Sequence, residues 1–584
     1  MILRNSLQLV LFCTILTLFS CRTEPSASTS TEVKEVPQVI KTRLRAEPDA
    51  LFPFNTSKAW SLEIVRQIFQ YVSYFDLETL AVDPLLAKTR PNVTPITDGE
   101  FAGGLKLEYE LLAEATWDNG SPVTGKDYEF TLKTIFNPEA KGLLKYYAQE
   151  LSLIRRFELD PSNPKKFTVY TNKPHIKAEE NIGLFVIPQY NYDPTGLMSG
   201  FNINDLLDPE KSKTLSKEKL VEFGEQIVSA EYARDPSKIS GSGPYKITEW
   251  IEGERLILEK KENWWGDKLS NTRKNLEAFP KSITYAFVRD NNATITMLKN
   301  GDLDVAGVIE ANTFNEMKND PKYKDEFEFI LGPAQAVNYL GINNVNPKLS
   351  DPKVRQAISY LIDRSAICES VYAGYAIPIY SEMPKSFEFF KEHPTPFNID
   401  KGSSILEAAG WIDADGNGIR EKMLNGKKTE LTLDVITTPN NVISEAILRI
   451  MIETFKKAGI QITHTKKEAR EYIGARNRGE YELWAGAMGI PPGIYDPTAY
   501  WKTSSATNYF KSGSAEMDEI IDNIVANQDR AKFPELYNKF QDLQAEMQPV
   551  VFLVHSKNRI IVRKGYDKKL ISMLSPTYHL KHFR

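Results

Sequence analysis

Helix and strand signals alternate along this chain, which predicts an α/β fold built on mixed sheets. Three stretches carry the prediction: a capped helix opening at Asp351, a strand–helix–strand unit over residues 431–462, and a strand-like stretch over residues 550–562. In the first, Asp351 stands as N-cap and Pro352 at the first helical position. Val354, Ala357, Ile358, Leu361 and Ile362 then recur at helical spacing, and Gly374 can end the helix. In the second, residues 431–436 alternate apolar and polar side chains. Ile443, Ile447, Ile450, Met451 and Phe455 form a helical stripe that stops at Gly459, and Ile460 and Ile462 resume strand alternation. Such a βαβ unit takes a right-handed crossover. Residues 481–485 read as the next strand, and residues 243–260 and 283–288 as β-rich. Residues 550–562 are far from their partners in sequence, so they predict a C-terminal return to an earlier sheet and a discontinuous domain. No internal repeat is visible.

The chain has 584 residues, 41% apolar and 26% charged, with a net charge of −5. That length can bury a large core without metal or disulfide staples, and the composition is ordinary for a globular protein. No basic patch or charge run points to nucleic acid.

The N-terminus reads as export machinery. Arg4 supplies a positive start and residues 7–18 an apolar stretch too short to span a bilayer. Leu18-Phe19-Ser20-Cys21 looks like a lipobox, although Phe19 is bulky for its position. The alternative is a signal peptide without lipidation. Acyl chains on Cys21 would anchor the protein stably, since each buried methylene contributes about 0.8 kcal/mol. Residues 22–37 are polar and suit a flexible tether. The three cysteines are Cys13, Cys21 and Cys368; once the leader is removed and Cys21 modified, one thiol remains and no internal disulfide can form.

Catalytic patterns are missing. There is no HExxH, CxxC, phosphate-binding loop or GxSxG elbow. Gly241-Ser242-Gly243-Pro244 runs into a strand, so it lacks the helix N-terminus that cradles phosphate. Cys368 reads as a buried helical thiol. His579 and His582, beside Lys581, read as a solvated tail rather than a metal site. Asp413-Ala414-Asp415-Gly416-Asn417-Gly418 has the oxygen spacing of a calcium loop, but the closing Glu would fall at Leu424, so a rigid turn is expected. Eight tryptophans spread along the chain, and a minority could line an apolar cleft.

Several segments, in order, resemble the extracellular solute-binding proteins of the dipeptide/oligopeptide class. Glu47-Pro48-Asp49-Ala50-Leu51-Phe52-Pro53 looks like that family's opening strand and turn. Residues 115–127, with Trp117-Asp118-Asn119-Gly120 and Thr124-Gly125-Lys126-Asp127, are similar to its W-S-D-G-x-P-x-T-A-x-D block. Gly241-Ser242-Gly243-Pro244-Tyr245 with Asn263-Trp264-Trp265-Gly266, Gly301-Asp302-Leu303-Asp304, Asp351 to Arg364, and Ala408-Ala409-Gly410-Trp411 match later blocks. The series covers residues 40–565.

The resemblance implies a two-lobed periplasmic-binding-protein-like fold (class II, three domains) with a hinge. Domain I would comprise residues 38–75, 236–335 and 546–584, domain II residues 76–235 and domain III residues 336–545, after a signal peptide (1–20) and tether (21–37). It implies a non-enzymatic, cofactor-free monomeric receptor of an ABC importer. That receptor would sit on the periplasmic side of a bacterial membrane through Cys21 and pass a small solute to a permease. Ser57, Trp60, Gly486, Met488 and Trp501 are the expected ligand-lining residues. In the family's peptide binders an aspartate pairs with the peptide's amino terminus. Ungapped alignment after Tyr481 puts Pro491 at that position, and Asp496 falls in a following D/E-P pair. Proline offers no charge, and a buried ammonium needs a carboxylate, so an atypical peptide or another solute is expected. Competing readings are a lipid-anchored sensor or docking protein on the same fold, and an exported hydrolase, for which no nucleophile or paired carboxylates stand out.

Overall fold

A computed structural model describes residues 38–385 and 387–584. The expected signal peptide, tether and lipidated Cys21 lie outside the described residues. Among those described, no helix is long and apolar enough to cross a membrane.

The N-terminal half contributes β1 (Val39–Leu44), α1 (Ala59–Ile68), β2 (Asn92–Pro95), β3 (Leu105–Glu110), α2 (Gly125–Ile135), β4 (Ile154–Leu159), β5 (Lys166–Thr171), β6 (Tyr245–Ile251), β7 (Arg255–Lys260), β8 (Ser282–Phe287) and β9 (Val305–Ala306). The rest contributes β10 (Phe327–Ile342), α3 (Pro352–Tyr360), α4 (Arg364–Ser370), β11 (Ala376–Pro378), β12 (Thr432–Thr437), α5 (Val442–Lys457), β13 (Gln461–Lys466), β14 (Leu483–Gly489) and β15 (Val550–Arg563). The main sheet runs β13-β12-β14-β10-β15-β9-β1-β8-β7-β6, with β11 paired to β15 off that path. A separate antiparallel sheet runs β2-β3-β5-β4.

Pairing is parallel where a helix crosses over: β1 lies parallel to β8, and β12 to β13 across α5. It is antiparallel elsewhere in the centre, where β10 pairs with both β14 and β15. The mixed sheets and the two-lobed architecture are therefore as expected. One core is built from residues 40–287 together with 560–583; two others are built from residues 337–573. The chain leaves the first lobe along β10 and returns along β15. These two strands pair from Phe327↔Arg563 to Pro333↔Lys557, then resume at Val337↔His555 after a register shift. On one side of that break β15 pairs with β9, and on the other β10 pairs with β14.

Local capping sets several element ends. The Asp351 side chain accepts from the Lys353 amide, as its N-cap position requires. The helix expected to run through Ile362 instead stops at Tyr360, because Asp363 caps a new helix by accepting from the Ala366 amide. Gly374 closes that second helix, donating to the Cys368 carbonyl. In α5, Ile447, Met451 and Phe455 are buried, but Ile443 is exposed at the first turn. The strand expected at 481–485 starts at Leu483 and runs to Gly489, because β10 offers it partners as far as Ala336. The C-terminal tail also differs from expectation. His582 is fully buried, with Nδ1 3.4 Å from Glu277 Oε2, and Phe583 is buried beside it. Burial pushes His582 down to about 4 and Lys581 to about 8, so this tail is core rather than solvated.

Arg355, in the D-P-K-V-R block, is buried and binds four carbonyls. Its Nη1 donates to Leu349 (2.7 Å) and Ser350 (2.8 Å), and its Nε to Met547 and Gln548 (both 3.1 Å). It therefore ties the start of α3 to the chain entering β15. Arg355→Ala leaves those carbonyls without a donor and is expected to cost about 3 kcal/mol. An unchanged urea midpoint would refute this anchoring role.

Candidate ligand cleft

The segment leading into α1 is ordered by one carboxylate. Asp49 accepts from the Thr56 and Ser61 hydroxyls (both 2.7 Å) and from the Ala50 amide (3.0 Å). Burial works to raise its pKa, but these donors outweigh that and hold it below the ordinary range. The far end of α1 is fixed by the Gly-Ser-Gly turn. The Gly243 amide donates to the Ile68 carbonyl at 2.7 Å. A Cβ on Gly241 would stand 2.3 Å from that same oxygen, and one on Gly243 2.6 Å from the Gln67 carbonyl, so only glycine fits. Trp264 and Trp265 both donate their indole N–H to the Ser242 carbonyl. Asp118 accepts from Ser240 and pairs with Lys261, joining the tryptophan-aspartate block to this turn. Three sequence blocks thus clamp one helix.

That helix faces a cavity of about 760 Å³, within the range of small-molecule sites. Trp60 and Glu63 of α1 line it, with Arg43 of β1, Arg45 just after that strand and Arg289 after β8. Ala334–Ala336 of β10 and residues 573–578 close it. It therefore abuts the break between β10 and β15. Arg43 is buried and occupied, donating to Thr294, Asn291 and Gly307. Arg45 and Arg289 are exposed at the cavity, and neither has an ion-pair or hydrogen-bond partner among the described residues. Glu63 Oε1 and Trp60 Nε1 are buried and unpartnered. Burial raises the Glu63 carboxyl to about 8, with Arg66 pulling weakly the other way.

A second cavity, of about 450 Å³, shares Met573 with the first and lies between the lobes. Leu80, Arg90 and Glu180 line it from one side, and Glu382 and residues 490–495 from the other. Here the lobes touch. Glu180 Oε1 accepts from the Ile494 amide (2.8 Å), the Gly493 amide donates to the Leu80 carbonyl (2.9 Å), and the Ile176 amide donates to Val525 (2.7 Å). A Cβ on Gly493 would stand 2.1 Å from Glu180 Oε1. Glu382 is buried but occupied: Tyr495, Trp501 and Gln544 all donate to its Oε1.

Of the five residues expected from sequence, Trp60 lines the larger cavity. Ser57 is exposed on the preceding turn. Gly486 packs between the rings of Tyr339 and Trp484, Met488 is buried, and Trp501 is buried as the donor to Glu382. Pro491 lines the second cavity. Sequence reasoning missed Glu63, Arg45 and Arg289. The available signal was a lone carboxylate inside the apolar face made by Ile64, Val65 and Ile68.

The Asp413 turn carries a carboxylate cluster that the expected spacing overlooked. Asp413, Asp415 and Glu421 bring oxygens within 4.8 Å of one another. Lys428 Nζ lies 2.6 Å from Asp415 and 3.5 Å from Glu421, and the Gly418 amide donates to Asp413 at 3.0 Å. The cluster thus already holds a cation of the chain itself.

The chain is similar to known proteins in sequence and in fold. AppA of Bacillus subtilis, an oligopeptide-binding protein, is 28% identical over 56% of this chain and 58% of its own length. The glutathione-binding protein GsiB of Pectobacterium atrosepticum is 26% identical over 54% of this chain and 58% of its own. The chain thus matches less than two thirds of the length of these relatives. In structure, AppA in complex with a nonapeptide superposes with a TM-score of 0.65 at 19% identity, covering 94% of this chain and 99% of AppA. NikA from Brucella suis in complex with Fe(III)-EDTA superposes with a TM-score of 0.71 at 17% identity, covering 94% of this chain and 99% of NikA. The model of the bacterial extracellular solute-binding proteins, family 5, matches residues 82–512, and the chain belongs to that family.

Proposed function

We propose that this chain is the solute-binding receptor of an ABC importer. On this reading it captures a peptide-like or other small solute between its lobes, closes about the hinge, and hands the solute to a membrane permease. The observation that carries the reading is the 760 Å³ cavity set against the break between the two crossing strands. The cavity lies on the first lobe beside the hinge, so a solute seated there is met by the second lobe on closure and favours the closed arrangement. The relatives bind oligopeptides or glutathione by name, which supports a peptide-like solute. Domain I would hold residues 38–75, 236–335 and the C-terminal return, with domain II inserted in it. The four-stranded sheet inside residues 76–235 supports that insertion. The pairing of β15 favours a second crossing near residue 556.

We also assign the N-terminal cysteine, Cys21, as the lipid anchor on the periplasmic side of the membrane, with the body acting as a monomer. The lipobox-like Leu18-Phe19-Ser20-Cys21 supports this.

A thermal-shift screen of the purified chain against short peptides, sugars and metal chelates tests the receptor reading. A true ligand at 100 times its Kd stabilises the fold by about 2.7 kcal/mol. A screen in which no solute raises Tm would sink the reading. Glu180→Ala removes the acceptor that joins the lobes at Ile494. It is expected to weaken ligand binding roughly tenfold at most, as befits one hydrogen bond, and to increase the radius of gyration in X-ray scattering; an unchanged radius and Kd would contradict the latch. Cys21→Ser is expected to move the protein from the membrane to the soluble fraction, and continued membrane retention would refute lipid anchoring there.

A further inference from the structure

Pro491 removes the carboxylate expected to meet a peptide's amino terminus, yet the larger cavity has a carboxylate of its own. Glu63 of α1 lines that cavity, with Oε1 buried and without a hydrogen-bond partner among the described residues. Only 6% of the residue is exposed. Leaving an acidic group buried and unpaired is costly, whereas an incoming cation would supply both charge and donors. The cavity also has the opposite pole. Arg45 and Arg289 line it as exposed guanidiniums without partners among the described residues, and guanidinium forks suit carboxylates. Trp60 lines the same cavity, and its buried Nε1 has no hydrogen-bond partner among the described residues.

We propose that this cavity takes a zwitterionic solute of short-peptide size, with its primary ammonium on Glu63 and its carboxylate at Arg45 and Arg289. Trp60 donates to a carbonyl or hydroxyl of the solute. The inference rests on the receptor reading above and adds to it which end of the solute is read, and by which residues. It also removes the reason to expect something other than a peptide, because the carboxyl missing at Pro491 is supplied by Glu63 of the first lobe, which releases its proton to solvent as the ammonium binds.

The probes are tri-, tetra- and pentaalanine, their N-acetylated forms and their C-terminal amides, titrated calorimetrically into the purified full chain. The free peptides are expected to bind, with at least a tenfold loss on N-acetylation. Glu63→Gln is expected to abolish that difference, and Arg45→Ala with Arg289→Ala to abolish the difference between acid and amide. Equal binding by wild type and Glu63→Gln, or equal binding of acetylated peptides, would overturn the inference. Binding of a neutral solute but of no alanine peptide would also overturn it, while leaving the receptor reading standing. If no solute of any class binds, both fall.

Glu63→Gln keeps the shape of the side chain, and its folding has an independent readout. Arg66, Tyr285 and Tyr578 are the titratable groups that interact with Glu63. The carboxyl titrates near 8 in the fold, against about 4.5 when unfolded. The folded chain therefore holds an extra proton between those values, and Glu63 costs stability as pH rises through that window. The Tm of Glu63→Gln relative to wild type is expected to climb from pH 5 to pH 8 and then level off. A pH-independent difference would mean that Glu63 is not buried as described.

Discussion

The structure depends on two antiparallel strands that run through both lobes. The chain leaves the first lobe along β10 and re-enters it along β15, so every relative motion of the lobes must be absorbed by this pair. A continuous ladder would resist bending. Here the ladder breaks between Pro333 and Val337, and Pro333 has no amide to contribute. The groups in the gap are satisfied from outside the ladder. The Ile490 amide donates to the Gln335 carbonyl, and the Ser575 amide to the Gln335 side chain. Such an interruption is where a sheet bends at least cost. The larger cavity is lined by the same residues, 334–336. On the receptor reading, hinge and binding surface share one segment of backbone.

Much of the fold was legible because local chemistry and tertiary structure agree. Asp351 is both a strong N-cap and the start of a helix whose Arg355 anchors β15. The apolar alternation around α5 reports a parallel pair in which β12 is largely buried and β13 is the exposed edge strand. The Gly-Ser-Gly block is informative for a steric reason, since carbonyls of α1 lie where side chains would be. Misreadings arose where a second local signal competed. Asp363 started a new helix inside what looked like one stripe. His582 joined the core although the tail sequence looks polar, because its partner Glu277 is some 300 residues away in the chain, and Phe583 packs edge-on against Tyr566.

The site was less legible. Trp60 was visible as an aromatic in a cleft-lining segment, but Met488 and Trp501 were expected at the ligand and are buried. Trp501 is engaged by Glu382, a contact 119 residues away. Glu63 carried a weak signal, a charge among apolar neighbours on one helical face. Its meaning depends on whether the fold provides a partner, and periodicity does not report that. A carboxylate with a partner is a structural ion pair, whereas one without a partner beside a cavity is what the proposed solute would meet.

The placement of that charge bears on the order of binding. An aspartate at position 491 would lie on the second lobe, in the loop that meets Glu180 of the first. Glu63, Trp60, Arg45 and Arg289 all belong to the first lobe, on α1 and beside the strands it packs against. A solute held by these groups docks fully on one lobe while the other is still open. Closure then adds contacts from the 490–495 loop, whose Gly493 and Ile494 amides donate to the first lobe at Leu80 and Glu180. Charge recognition precedes hinge motion in this arrangement, and closure draws on backbone contacts that do not depend on which side chains the solute carries. A receptor built this way reads the two ends of its solute and is tolerant of what lies between them.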